Sequence, residues 1–174
     1  EAADTPAGPA VEVVRGYRPG AIGRVAEMHG THYARRWGFG RFFESRVAAD
    51  LAEFSARADR PANGLWLALQ DGRVVGAVAI DGEDLGDGLA HLRWFIVDDG
   101  LQGGGVGRRL LDAAIAHCDD RAFRETRLWT FAGLDAARRL YEHRGFVLAE
   151  EWLGTQWGSE VTEQRFARPH SAGR

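Results

Sequence analysis

The sequence predicts a mixed α/β domain in which about four helices flank a mostly antiparallel sheet of seven strands. Two patterns lead to this fold class. Asp71-Gly72 separates two short apolar runs, and this dipeptide is a strong signal for an antiparallel β-hairpin. Downstream of the hairpin, strand-like runs alternate with segments of helical apolar spacing, which is typical of strand–helix units.

The first half of the chain is predicted to hold a strand, two helices and the hairpin. Its first apolar run alternates in polarity as a strand does, and Pro19 and Gly20 end it. The apolar side chains that follow, among them Phe43 and Val47, have helical spacing. The predicted elements are strand 11–17, helices 21–36 and 42–58, and strands 65–70 and 74–80.

The second half is predicted to contain four strands and two helices. The first of these strands alternates, which would place His91, Arg93, Phe95 and Val97 on one face and Leu92, Trp94 and Ile96 on the other. The predicted elements are strand 90–97, a helix that begins at Val106, strand 126–131, helix 134–143, and strands 146–152 and 161–166.

Length and composition restrict the class of protein. A chain of 174 residues fits a single domain, here 11–168, with loose tails at 1–10 and 169–174. A net charge of -3 argues against nucleic-acid binding by this domain, and no stretch is apolar enough for a membrane span. Cys118 has no partner for an internal disulfide, which favours the cytoplasm.

A run of glycines lies between the strand 90–97 and the helix that follows it. Gly103, Gly104 and Gly105 have no side chains, so their backbone N–H groups can approach a ligand closely. The start of a helix adds positive potential at the same place. The run is therefore predicted to bind an anion such as a phosphate group.

The spacing of the glycines excludes two common phosphate-binding loops. A dinucleotide fingerprint on Gly105 and Gly107 would need a third glycine at Leu110. A nucleoside triphosphate loop counted from Gly100 would need a lysine at Val106.

The pattern that fits is Gln-x-x-Gly-x-Gly, formed by Gln102, Gly105 and Gly107. With residues 134–146, a helical segment that contains Tyr141 and ends in Gly-Phe, it resembles the GNAT family of N-acetyltransferases. The resemblance implies that acetyl-coenzyme A is the co-substrate, that no metal is needed, and that the strands on either side of the glycine helix separate to admit the coenzyme.

The resemblance also implies roles for individual residues. Tyr141 corresponds to the family's tyrosine, which hydrogen-bonds the coenzyme sulfur and is usually assigned as the general acid. Backbone groups of the strand before the glycine run would pair with the pantetheine arm. The predicted coenzyme-binding residues are Phe95, Ile96, Val97, Gln102, Gly103, Gly104, Gly105, Val106, Gly107, Arg108 and Tyr141.

The general base is less fixed by the sequence. By its distance from Gln102, His91 is similar in position to the catalytic Glu of histone acetyltransferases and the His of arylalkylamine acetyltransferases, and imidazole suits proton transfer near neutral pH. The chain departs from the family at Trp129, where many members carry Glu, and at Leu134, where many carry Asn. His91 is therefore the predicted base, with Glu27, His29 or water as alternatives.

The resemblance also implies that an acceptor pocket rich in aromatic side chains lies at the acceptor end of the cleft. Its candidate residues are His29, Tyr33, Trp37, Phe39, Arg93 and Trp129. Bulky aromatics favour a closed pocket for a small amine, although core packing explains such residues as well, and tryptophan faces attract ammonium groups.

The predicted function is N-acetylation of a small-molecule amine by direct attack in a ternary complex. The alternatives are a non-catalytic acyl-coenzyme A sensor domain, or acetylation of a protein lysine or N-terminus. Residues 33–40 and 91–99 are similar to the acetyltransferase half of proteins fused to a MarR-type DNA-binding regulator, so such a module is a further expectation, as is a homodimer.

Overall fold

Alternating strands and amphipathic helices assemble here into one open sheet covered on both faces. The computed structural model describes residues 9–170. The strands are β1 (Val11–Arg15), β2 (Gly64–Gln70), β3 (Arg73–Asp81), β4 (Leu89–Val97), β5 (Glu125–Phe131), β6 (Val147–Gly154) and β7 (Val161–Pro169). The helices are α1 (Ala21–Trp37), α2 (Arg41–Ser55), α3 (Val106–Asp120) and α4 (Asp135–Glu142).

The seven strands are ordered β1-β2-β3-β4-β5-β7-β6, and only β4 and β5 run parallel. This confirms the predicted mixed, mostly antiparallel sheet with four helices. The β2–β3 hairpin turns at Asp71 and Gly72, which both have positive φ angles of 50° and 75°. Two such residues are what a tight turn between right-twisted strands requires.

Two apolar cores cover the two faces of the sheet. Helices α3 and α4 pack on one face, where the buried side chains include Leu110 and Phe166. Helices α1 and α2 pack on the other, where they include Val25 and Phe54. Gly76 of β3 lets α3 approach closely, because a Cβ atom there would lie 3.0 Å from Leu110 Cδ1.

A β-bulge in β4 changes which side chains face each core. Trp94 has a φ angle of 51°, and the register with β3 shifts between Ala77 and Ala79. The extra residue puts Trp94 and Arg93 both toward α2, whereas Phe95 packs against the α3 core. The predicted alternation through 90–97 is therefore wrong after Arg93.

The parallel pair β4–β5 is short, and a cavity opens where the pairing ends. Pairing is confined to Leu89–Glu125, Ala90–Thr126 and His91–Arg127. Beyond His91, β4 pairs with β3 alone, and the expected separation of the two strands is present.

Several predicted boundaries move by a few residues. Strand β7 continues to Pro169, which pairs with Glu125, and the His170 N–H donates to the Arg124 carbonyl oxygen. Residues 169 and 170 are therefore attached to the sheet rather than part of a loose tail. Residues 1–8 and 171–174 of the predicted tails lie outside the described residues.

No helix within residues 9–170 combines the length and the apolar character that are needed to span a bilayer.

Candidate active site

A cavity of about 1480 Å³ occupies the gap between β4 and β5. The glycine run and α4 border one end of it, while α1, α2 and the start of β7 border the other. A cavity of this size and position can hold two substrates side by side.

The glycine run leaves several backbone donors without partners. Gly105 is the N-cap of α3, with a φ angle of 85°, and no side chain caps the helix. Within the described residues, the amides of Gly103 and Gly105 have no hydrogen-bond acceptor, and the first bond of the helix runs from the Arg109 N–H to the Gly105 carbonyl. The amides of residues 106–108 precede that bond and are free as well. This set of donors fits a diphosphate.

Gly107 has a different role from the other glycines of the run. A Cβ atom there would lie 3.2 Å from Phe95 Cζ and 3.4 Å from Leu140 Cδ1. By contrast, nothing lies within 4 Å of the Cβ positions of Gly103 and Gly105. Gly107 therefore allows the helix to pack closely on β4 and α4, and the other two leave open space for a ligand.

Nine of the eleven predicted coenzyme-binding residues line the cavity: Phe95, Ile96, Val97, Gln102, Gly103, Gly105, Gly107, Arg108 and Tyr141. Gly104 and Val106 do not. The Gly104 N–H is used in a turn to the Leu101 carbonyl oxygen, so the predicted contact of this residue is not supported. Val106 is buried in the α3 core, which leaves only its backbone N–H for a ligand.

Positive charge borders the glycine-run end of the cavity. Arg108 lines it, whereas Arg109 donates to the Val11 carbonyl oxygen at 2.8 Å, away from the cavity. Arg139 of α4 also lines the cavity, as does Arg144, which follows the helix and pairs with Asp112 at 2.7 Å. Sequence reasoning missed these two, although their positions beside Tyr141 in the second motif were a usable signal.

Tyr141 projects from α4 into the cavity. Its ring contacts Phe95 and Phe146, with centroid distances of 5.9 Å and 5.8 Å. Burial, with the nearby Tyr33 phenol as the second cause, raises the pKa of Tyr141 above its usual value. The hydroxyl is therefore protonated at neutral pH and can donate a hydrogen bond.

His91 lies where β4 and β5 begin to separate, and a carboxylate orients it. Its Nδ1 is 2.7 Å from Asp84 Oδ2, and its ring meets that of Trp129 edge-on at 4.9 Å. The bond to Asp84 leaves Nε2 as the nitrogen available to a substrate. Sequence reasoning gave Asp84 no role, because its contact with His91 depends on the folded chain.

Four of the predicted acceptor residues lie on α1 or just after it. The three that line the cavity are His29, Tyr33 and Trp37, and the fourth is Phe39. Burial lowers the pKa of His29 to about 4, and its Nδ1–H donates to the Val25 carbonyl oxygen at 2.8 Å. Burial also raises the pKa of Tyr33 to about 12.

Phe39 does not line the cavity. It is 4% exposed and packs between Phe43 and Phe131, with centroid distances of 5.2 Å and 5.4 Å. The predicted substrate contact of Phe39 is therefore wrong, because the turn between α1 and α2 carries this ring into the core.

Arg93 and Trp129, the other two predicted acceptor residues, both line the cavity. The Arg93 guanidinium lies 4.2 Å from the Trp94 ring and pairs with Asp50 at 3.3 Å. A second carboxylate, Asp84, lies 3.8 Å from it. Arg93 is thus held by acidic neighbours and links α2 to the His91 region.

The far end of the cavity contains an acidic residue that sequence reasoning did not select. Glu163 of β7 is 3% exposed and accepts a hydrogen bond from the Gln156 side-chain amide. Trp152 and Trp157 line the cavity beside it. Only the tryptophans carried a sequence signal, since an isolated Glu in a late strand has none.

Comparison with known proteins gives a family match and a set of structural neighbours. The model of the acetyltransferase (GNAT) family matches residues 31–146. A GNAT acetyltransferase from Staphylococcus aureus Mu50 superimposes with a TM-score of 0.74 at 19% identity, over 92% of this chain and 99% of that one. No curated protein is significantly similar in sequence.

Two further solved structures are similar and differ in their named acceptors. A candidate phosphinothricin N-acetyltransferase has a TM-score of 0.70 at 16% identity, over 94% of this chain and 100% of its own. The ribosomal-protein-S18-alanine N-acetyltransferase of Escherichia coli has a TM-score of 0.66 at 20% identity, over 95% of this chain and 97% of its own. At these identities the likeness concerns the fold.

His29 makes the stability of the site depend on pH. The unfolded chain binds a proton at this side chain near pH 6.5, but the folded chain does so only near pH 4, so the free energy of unfolding falls as the pH falls through this window. From pH 7 to pH 4.5 we expect His29 to account for a loss of about 2 kcal/mol. Urea denaturation at both pH values measures this.

The His29→Gln variant should lack this part of the pH dependence. His143→Gln, on the exposed end of α4, is the matched control and should keep the full dependence of the wild type. An equal loss of stability in the His29 variant and the wild type would show that His29 is not held neutral.

Proposed function

Because the chain belongs to the GNAT family of acetyltransferases, we propose that it transfers acetyl from acetyl-coenzyme A to the primary amine of a small molecule. The observation that carries this proposal is the uncapped start of α3, whose free amides face the gap between β4 and β5. Acetyl-coenzyme A supplies an activated thioester when it is bound there. The aromatic cavity beside it favours a small acceptor over a protein segment.

The chain's own residues would hold the coenzyme along two surfaces. The amides of the glycine run and Arg108 would bind the diphosphate, with Arg139 and Arg144 as further cationic partners. The edge of β4 beyond His91 has no partner in β5, so its backbone groups can hydrogen-bond the amides of the pantetheine arm.

The proposed reaction is a direct attack. The acceptor nitrogen forms a bond to the acetyl carbon, the C–S bond breaks, and the thiolate leaves with the electron pair. Cys118 is not expected to carry an acyl group, because burial raises the pKa of its thiol to about 11 and the residue is 2% exposed.

A single buried cysteine also agrees with a cytoplasmic setting, which we propose for the activity.

His91 is proposed to take the proton that the ammonium must lose before attack. Asp84 fixes the ring through Nδ1, so Nε2 can accept the proton directly or through one water molecule. This arrangement resembles a base held by an orienting carboxylate.

Tyr141 is proposed to donate a hydrogen bond to the leaving thiolate. Burial and the nearby Tyr33 phenol raise its pKa, so the hydroxyl is protonated at neutral pH and can stabilise the negative charge that develops on the sulfur.

The coenzyme site is tested by Gly105→Glu. The carboxylate would enter the open space at this position and repel the diphosphate, so coenzyme A should bind roughly 100-fold more weakly by isothermal titration calorimetry. Gly23→Glu, on the exposed side of α1, is the matched control and should bind as the wild type does. Equal binding by both variants would refute the placement of the diphosphate.

The role of Tyr141 is tested by Tyr141→Phe. Loss of one hydrogen bond to a charged group predicts a decrease in kcat of about 10- to 100-fold, with the coenzyme Kd little changed. Release of free thiol, followed across a panel of amines, gives kcat. Tyr17→Phe, at a residue that is 51% exposed, controls for the loss of a hydroxyl. An unchanged kcat would remove Tyr141 from the mechanism.

The role of His91 is tested by the pH dependence of kcat/KM. A base that must be unprotonated produces a fall of kcat/KM on the acid side of the profile. In His91→Gln this fall should disappear and the plateau should drop by about 100-fold. If His91→Gln keeps the fall of kcat/KM on the acid side, another group takes the proton.

A chain that binds coenzyme A but releases no thiol with any amine would instead support the sensor alternative.

A further inference from the structure

Glu163 is the buried acidic side chain of the cavity. Of the three acidic residues that line it, Asp50 has a side chain that is 41% exposed and paired with Arg93, and Asp135 is exposed at the start of α4. Glu163 is 3% exposed, and among residues 9–170 no Arg, Lys or His lies within ion-pair distance of it. Its side-chain partner there is the Gln156 amide.

A carboxylate with little exposed surface is usually paired with a cation or held by several hydrogen-bond donors. The other buried carboxylate of the sheet shows the usual solution. Asp81 is 0% exposed and pairs with Arg57 at 2.7 Å, with the Glu83 and Asp84 amides as further donors. Glu163 has one neutral donor in place of that set. The site is therefore short of one positive group.

The surroundings of Glu163 suit an organic cation. Glu163 pairs across the sheet with Phe131 on one side and Trp152 on the other, so the three side chains share one face. The rings of Trp37 and Trp157 lie 5.0 Å and 5.6 Å from that of Phe131. Aromatic faces attract ammonium groups, most strongly where water is excluded.

Arginines line the cavity at both ends. Those beside the glycine run are Arg108, Arg139 and Arg144, and those on α1, α2 and β4 are Arg36, Arg46 and Arg93. Arg93 is paired with Asp50, and in the described part of the chain none of the six forms an ion pair with Glu163. The negative charge of Glu163 is therefore not used by the arginines that share its cavity.

We propose that Glu163 binds the ammonium form of the acceptor when it enters the cavity, before the nitrogen is deprotonated and attacks the thioester, and that the acceptor class is a cationic amine with an apolar or aromatic body. This rests on the proposed function, because it assigns the substrate class of the same cavity. Glu163 is a substrate-binding residue in this scheme, and the aromatic side chains around it select the body of the amine.

The test compares ammonium probes with neutral probes of the same shape. Methyl-, butyl-, benzyl- and 2-phenylethylammonium and the corresponding alcohols are titrated into the purified chain at pH 7 and followed by tryptophan fluorescence and calorimetry. We expect the wild type to bind benzylammonium at least about 10-fold more tightly than benzyl alcohol. If the wild type binds none of the four ammonium probes more tightly than the corresponding alcohol, the proposal is overturned.

Glu163→Gln keeps the size of the side chain and removes its charge. It should abolish the preference by weakening benzylammonium binding about 10-fold, while benzyl alcohol binding stays the same. Glu150→Gln is the matched control, since Glu150 is 61% exposed, pairs with Arg165 on β7 and does not line the cavity. A preference that survives in Glu163→Gln places the cation elsewhere and overturns the assignment.

Two further measurements keep the result interpretable. If circular dichroism shows that Glu163→Gln does not fold, the Glu163→Asp variant replaces it. Its carboxylate lies further from the ligand, so benzylammonium should bind more weakly and benzyl alcohol should bind as before. Unchanged binding of benzylammonium by this variant would overturn the proposal. Coenzyme A binding should be equal in the wild type and in Glu163→Gln. If the wild type does not bind coenzyme A, the proposed function is refuted. The role of Glu163 is decided separately, by the ammonium titration.

Discussion

The separation of β4 from β5 is the constraint on which the rest of the site depends. The two strands share three residue pairs and then part at His91. The bulge at Trp94 lies just beyond this point, and a bulge bends its strand and increases the local twist. The sheet is continuous on either side of the gap, so the opening is held by two rigid edges rather than by loops.

The gap gives each neighbouring element a separate task. Helix α3 starts at its rim and presents unpaired amides, and α4 places the Tyr141 hydroxyl inside it. At the point where the strands part, Asp84 holds His91. Strand β7 contributes Glu163 from the opposite side of β5. The arrangement requires little movement, because each of these groups is positioned by helix or sheet packing or by a hydrogen bond.

Local signals allowed the order of the elements and half of the site to be predicted. The Asp71-Gly72 turn and the glycine run each specify their structure within a few residues, so the hairpin and the α3 start were found at the right places. The bulge at Trp94 was not predictable, since it arises from the pairing of β4 with β3. For the same reason the faces of β4 were assigned wrongly after Arg93.

Residues that meet through the sheet were beyond sequence reasoning. Asp84 reaches His91 across the turn before β4, and Glu163 enters the cavity because β7 inserts between β5 and β6. Phe39 was misassigned because an aromatic side chain beside a pocket and one in the core have the same sequence pattern. Such distinctions depend on burial, which the folded chain alone provides.

The uncapped start of α3 also links ligand supply to the persistence of the protein. Its free amides are brought together only in the folded chain, so a ligand that binds them adds its binding free energy to the folding free energy. At a ligand concentration of 100 Kd this amounts to about 2.7 kcal/mol. Resistance to proteolysis, and with it the lifetime of the protein, should therefore rise and fall with the local concentration of the coenzyme.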